Sequence, residues 1–276
     1  MTDSPPLLSE PPVGFHVIMR LWDSRAIAST QRAWRSIAVS FLTVGGPYPL
    51  LAFRAVDSHI HALVTCARDD AGEFARRVEI SMQRRITPGV AFSEVHCVPV
   101  VDQRNLSSVF WYVLDNARRH RCEVDPLFEA SNLQDLLGMR ILGEWTRPLV
   151  RGALPRVRGE RLRQLLPVAA TGDFRDPRLL LEVATGAAGF PDLVLKGRAP
   201  SKAQSGWGPL AVQAAAHAAP EISSGEVARV LRASARTICK ARSGDPGPEL
   251  VAAIRQQLAL RTAWATADAA GVAERG

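Results

Sequence analysis

Two β-rich runs that almost touch in sequence constrain this chain most. LLAFRAV (Leu50–Val56) and HIHALVTC (His59–Cys66) are separated only by Asp57 and Ser58, which reads as a tight antiparallel hairpin. The flanking sequence predicts the rest of a sheet and its covering helices. FHVIMR (Phe15–Arg20) is a first strand, and TQRAWRSIAVSFLTV (Thr30–Val44) carries apolar residues at helical spacing through Trp34, Ile37, Ala38, Phe41 and Leu42, with Thr30 as cap. After the hairpin, DAGEFARRVEISMQRRI places Phe74, Val78, Met82 and Ile86 on one helical stripe, with Asp70 or its neighbour as cap. AFSEVHCVPVV then reads as a fourth strand. Leu106–His120 reads as a helix whose apolar face is Leu106, Val109, Phe110, Val113 and Ala117.

The resulting order, β-α-β-β-α-β and a further helix, is that of a ferredoxin-like sandwich with one added C-terminal helix, an α+β fold. Many functions share that order, so it does not specify one. From about residue 127 the composition turns to Leu, Ala, Arg, Gly and Pro with no β-rich run, so an all-α C-terminal region is expected. The predicted division is a disordered leader over 1–13, an α+β domain over 14–126, a helical extension over 127–195, a mobile linker over 196–209 and a helical region over 210–276. No internal repeat of fixed period is visible.

With 47% apolar and 22% charged residues in 276, the chain can bury a real core. Its net charge of +7 and isoelectric point of about 9.9, carried mainly by Arg, suit a polyanionic partner. The cysteines Cys66, Cys97, Cys122 and Cys239 lie far apart with no C-x-x-C pair. They read as reduced, small apolar residues rather than a zinc site or redox pair. The Pro-rich, acidic N-terminus lacks a basic n-region and a long apolar h-region, and no uncharged run approaches the ~18 residues of a membrane span. The expected location is the cytoplasm, without a membrane partner.

Strand alternation sends both imidazoles of His59-Ile60-His61 to one face and Ile60 into the core. Two such nitrogens can grip one metal ion, although an H-x-H pair is also common on ordinary sheet surfaces. Tyr112 and Asn116, four apart on a helix, share one face, so the Asn116 carbonyl is a candidate third ligand one helical turn from the Tyr112 hydroxyl. Phosphoryl transfer needs such a set: a divalent ion to polarise the phosphate, and a nucleophile in line. The competing reading is an amphipathic helix with a half-buried tyrosine. The chain has two tyrosines, and Tyr48 lies in a turn between Pro47 and Pro49. His96 and His120 read as surface or helix-terminal residues. Arg118, Arg119 and Arg121 follow the Tyr112 helix, where cations suit a helix C-terminus and are candidates for phosphate contact.

Residues 15–122 resemble the catalytic domain of the bacterial single-tyrosine HUH transposases, especially the REP-associated tyrosine transposases. The resemblance lies in the opening strand FHVIMR, the histidine pair followed by an apolar run in HIHALV, and the helix pattern Y-[IV]-x-x-N, here YVLDN. The sequence departs from the family at VDSHIH, at ARRH after YVLDN, and in lacking a Trp-Gln-x-Arg-Tyr-like segment in its fourth strand. The resemblance implies that His59, His61 and Asn116 hold Mg²⁺ or Mn²⁺. It also implies that Tyr112 attacks a phosphodiester in single-stranded or hairpin DNA, leaving a 5′-phosphotyrosyl link and a free 3′-hydroxyl. A homodimer is compatible with it.

In the C-terminal region, ISSGEVARVLRASARTICKARSG (Ile222–Gly244) resembles a helix-turn-helix. Val227, Ala228 and Leu231 face inward, the turn falls at Arg232–Ser234, and Thr237 and Ile238 lie on the second helix. Arg232, Arg236, Lys240 and Arg242 would give that helix a basic, groove-reading surface. Simple bundle packing is the plainer alternative. The leading expectation is therefore a transposase-type endonuclease and strand transferase. The alternatives are a catalytically silent DNA-binding relative acting as repressor or architectural factor, and a relaxase or replication initiator. In many relaxases the tyrosine precedes the histidines, the reverse of the order found in this chain.

Overall fold

A computed structural model describes residues 11–23, 25–56, 58–86, 92–116, 128–166, 177–189 and 207–273. Four strands form one antiparallel sheet: β1 (Gly14–Arg20), β2 (Leu50–Val56), β3 (His59–Val64) and β4 (His96–Val100), in the order β2-β3-β1-β4. β1 is flanked by β3, with Ile18 opposite His61, and by β4, with His16 opposite Val98. The fourth strand is shorter than expected. Phe92 makes only an isolated bridge to Leu21, and Pro99 is tolerated because β4 is an edge. Val13, expected to belong to a disordered leader, donates its N–H to Val100 O at 2.8 Å; residues 1–10 lie outside the described residues.

The sheet is covered on both faces. Phe15, Val17, Met19, Phe53, Ile60, Ala62 and Val64 pack against α1 (Gln31–Gly45) and α2 (Arg68–Arg85). Phe41 stacks on Phe53 with ring centroids 4.7 Å apart, and Phe74 closes edge-on at 5.9 Å from Phe41. Thr30 caps α1 by accepting from Ala33 N–H at 3.2 Å. α2 starts earlier than predicted. Ala67 is its N-cap, and Asp69 and Asp70 lie in the first turn, where they complement the helix dipole instead of capping.

The opposite face carries α3 (Gln103–Leu114), capped by Asp102, which accepts from Asn105 N–H at 2.7 Å. The helix thus begins three residues before the expected Leu106, because the Asp102 side chain satisfies an otherwise orphaned amide. Leu51, Leu63, Val100, Leu106, Phe110 and Val113 form this second core. Val150, Leu154 and Leu162 enter it from α5 (Thr146–Ala153) and α6 (Gly159–Arg163), with α4 (Leu133–Leu137) alongside.

A third core is built largely of alanine from α7 (Leu180–Ala188), α8 (Trp207–Ala218), α9 (Ser224–Val230), α10 (Ala235–Arg242) and α11 (Pro248–Ala273). α8 begins inside the expected linker; residues 190–206, which hold the rest of it, lie outside the described residues. Polar groups join this core to the sheet. Ile141 N–H donates to Ala187 O at 3.0 Å, and Arg35 pairs with the buried Glu129. Gly186 permits that approach, since a Cβ there would collide with Glu129 Oε1. The buried Arg140 is neutralised by Asp135 and also donates to Glu129 O at 2.8 Å. Among the described residues, no helix is long and apolar enough to cross a membrane.

Candidate functional site

β3 places His59 and His61 on the α3 side of the sheet and commits Ile60 and Ala62 to the other core. The two imidazoles lie 4.7 Å apart, centroid to centroid, with planes at 85°. α3 lays Tyr112 against the second of them: its ring meets the His61 ring nearly perpendicularly at 5.3 Å. Asn116 follows Tyr112 by four residues, just past the Asp115 cap of α3, and is fully buried. Tyr48 is remote from this group, packed in the α1/α2 core against Phe74 at 5.8 Å.

A third imidazole joins the cluster that sequence reasoning did not weigh. His16 lies on β1, and its Nε2 is 2.9 Å from His61 Nδ1. Its ring stacks on His61 at 5.0 Å and meets Tyr112 edge-on at 5.7 Å. Burial pushes the His16 imidazole down from 6.5 to about 4, so it is neutral near pH 7. The contact with His61 is then a hydrogen bond in which one ring donates and the other accepts. The available signal was a polar residue in the otherwise apolar strand FHVIMR, at the same parity as Ile18. Arg54 was also missed. It lies on β2 directly across from His61, is buried, donates to Leu114 O at 3.3 Å and stacks 4.9 Å from the Phe128 ring centroid. A full charge is thereby held beside the histidines.

Two imidazoles and an amide oxygen fit a divalent ion such as Mn²⁺ or Mg²⁺. Asn116 supplies the structural test: neither its Oδ1 nor its Nδ2 has a hydrogen-bond partner among the described residues, although the side chain is fully buried. An unsatisfied buried polar group costs about 1–3 kcal/mol, which a cation at Oδ1 would offset. Among the described residues no group of three or more His, Cys, Asp or Glu side chains is arranged to hold a metal. The two cysteines beside the sheet are poor nucleophiles. Burial, with Asp70 and Cys97 nearby, pushes Cys66 up to about 11, and burial also raises Cys97.

His96 lies on β4 opposite Ile18, exposed at the sheet edge. Arg118, Arg119, His120 and Arg121 lie outside the described residues. In the C-terminal pair, Ser223 caps α9 and Ser234 caps α10, while Val227, Ala228, Leu231 and Ile238 are buried. Arg232, Arg236 and Lys240 are exposed. Arg242 differs from the expected groove-facing role. Its guanidinium donates to Ala216 O, Ala219 O, Ile222 O and Ser224 Oγ at 2.6–3.2 Å, so it binds α10 to its neighbours.

No family model, curated protein or solved structure matches this chain.

Proposed function

We propose that the chain is a metal-dependent, single-tyrosine DNA endonuclease and strand transferase of the HUH transposase type, acting on single-stranded or hairpin DNA. The observation that carries this reading is the Tyr112 ring set edge-on against His61, the imidazole that itself lies beside His59. The strand order β2-β3-β1-β4 agrees with a ferredoxin-like sandwich, and the α9/α10 pair with a helix-turn-helix.

His59, His61 and Asn116 would hold a Mg²⁺ or Mn²⁺ ion, whose charge, when bound, polarises the scissile phosphate and favours the phenolate of Tyr112. Tyr112 Oη attacks phosphorus. The Oη–P bond forms, the bond from phosphorus to the 3′ oxygen breaks, the phenol loses its proton, and the departing oxygen takes one up as a free 3′-hydroxyl. Attack of another 3′-hydroxyl on the phosphotyrosine reverses the step and joins the strands. With His61 in its Nδ1–H tautomer, neutral His16 would accept that proton's hydrogen bond, leave the His61 lone pair on Nε2 and hold the ring's orientation. The charge of Arg54 beside His61 favours a phosphate in the site. On α9/α10, the exposed Arg232, Arg236 and Lys240 would meet DNA, Arg242 being spent on backbone carbonyls.

The test is a covalent adduct. Wild-type protein, Mn²⁺ and labelled single-stranded hairpins from the flanking genome should give a 5′-linked oligonucleotide. Tyr112→Phe should abolish it while keeping fold and DNA binding, since the ring stays in place. An adduct surviving in Tyr112→Phe refutes the mechanism. Binding by wild type without any adduct favours the silent DNA-binding relative.

A further inference from the structure

The stretch from α5 through α6 alternates buried apolar anchors with exposed arginines. Val150, Leu154 and Leu162 are buried in the α3-side core, while Arg151, Arg156, Arg158, Arg161 and Arg163 face solvent. The stretch is tied to the Tyr112 helix at two points. Gln103 Nε2 donates to Ala153 O at 2.5 Å, and the Arg161 guanidinium sits 4.2 Å from the ring centroid of Trp111, the residue before Tyr112.

These arginines are not used as the chain's internal ones are. Arg140 and Arg242 are spent on carboxylates or carbonyls, and Arg261 pairs with Glu182 at 2.7 Å. None of the five forms an ion pair among the described residues, and Glu160 is the single acid between 151 and 163. Five exposed cations between residues 151 and 163, with one acid among them, make this stretch strongly basic, and an anion at the surface relieves their mutual repulsion.

We propose that Arg151, Arg156, Arg158, Arg161 and Arg163 form a phosphate-binding ridge that holds the backbone of a single-stranded polynucleotide beside the Tyr112 helix. All the cations of the ridge are arginines, whose planar fork matches phosphate bidentately, and the half-buried Trp111 indole adds a surface on which a base can stack. A membrane is a poorer fit: among the described residues the exposed large apolar ones are Val13, Trp22, Val98 and Val101, none of them on this stretch. The ridge rests on the preceding reading only for what is done to the strand at Tyr112.

The experiment uses the full chain, chelated so that no metal-dependent cutting intervenes. Affinity for a fluorescent oligothymidylate is measured across a salt series, for wild type and for the triple Arg156→Gln, Arg158→Gln, Arg163→Gln. A control triple, Arg76→Gln, Arg77→Gln, Arg84→Gln, removes the same charge from α2 on the other side of the sheet. Three lost phosphate contacts on a single strand should lower the salt slope by about 2, and low-salt affinity should fall about tenfold or more, with little change in the control. Lysines at 156, 158 and 163 should restore most of the slope, which separates lost charge from misfolding. Equal effects of the two triples, or an unchanged slope in the ridge triple, overturn the proposal. So does a ridge triple that loses phosphatidylglycerol vesicles yet keeps the oligonucleotide. If the ridge binds but wild type makes no adduct, the nuclease reading fails and the ridge stands. If wild type makes the adduct while the ridge triple binds as wild type does, the ridge fails and the nuclease reading stands.

Discussion

Protonating His16 should weaken the fold, by an amount that follows from its surroundings. Burial beneath Tyr112 and beside His61 lowers the imidazole from 6.5 to about 4. The folded state thus favours the neutral ring, while the unfolded chain takes up a proton first as the pH falls. His16 carries no penalty above about pH 6.5, and stability is lost progressively between about 6.5 and 4. At about 1.4 kcal/mol per pH unit the full loss is about 3 kcal/mol, of which about 2 kcal/mol has gone by pH 5. His16→Gln removes the titration and keeps a side-chain oxygen to accept from His61 Nδ1–H. In chelated protein, urea denaturation followed by circular dichroism should show wild type losing about 2 kcal/mol more than His16→Gln between about pH 7.5 and 5. The exposed His96 and the rings of His59 and His61 remain in both proteins, so the difference reports His16. Equal losses would mean that the folded protein tolerates a charged imidazole there, and the assignment of His16 as a neutral acceptor would fall. A second arm reads the same hydrogen bond: Mn²⁺ affinity should survive His16→Gln and drop about 10–100-fold in His16→Phe.

Three further perturbations test the packing around the site. Asp135→Ala strands the buried Arg140 guanidinium and should cost about 3–5 kcal/mol in urea denaturation. Arg242→Ala should destabilise the C-terminal helices by about 2–3 kcal/mol, whereas Arg236→Ala, exposed on the same helix, should stay within about 0.5 kcal/mol; hydrogen exchange of α10 amides separates them. Arg232 sits at φ 52° in the turn between α9 and α10, so Arg232→Gly should raise the melting temperature through relief of about 1 kcal/mol of backbone strain.

What the chain decided by itself is what depends on near neighbours. The tight β2/β3 hairpin, the Thr30 cap and the helical stripes of α1 and α2 follow from spacing within a dozen residues, because peptide geometry repeats every two residues in a strand and every 3.6 in a helix. The same local rule puts His59 and His61 on one side of β3. Boundaries shifted for two reasons: Asp102 caps the first amides of α3 and starts it early, whereas α2 begins at Arg68 with no side-chain cap to mark its start in the sequence. Arg54 was legible by the same rule, since a two-residue loop pairs Val56 with His59 and therefore Arg54 with His61. His16 could not be assigned to the site in this way, because it reaches His61 across 45 residues of sequence and its placement depends on the register of β1 against β3. Register is set by which faces of the strands bury best against α1, α2 and α3, a competition spread over the whole sheet. The arginines divide in the same manner. Arg140, Arg242 and Arg163 look alike in the sequence, and only the packed chain makes the first two internal donors and leaves the third in water, because irregular turns and neighbouring helices, which follow no repeating period, bring carbonyls and carboxylates onto the first two alone.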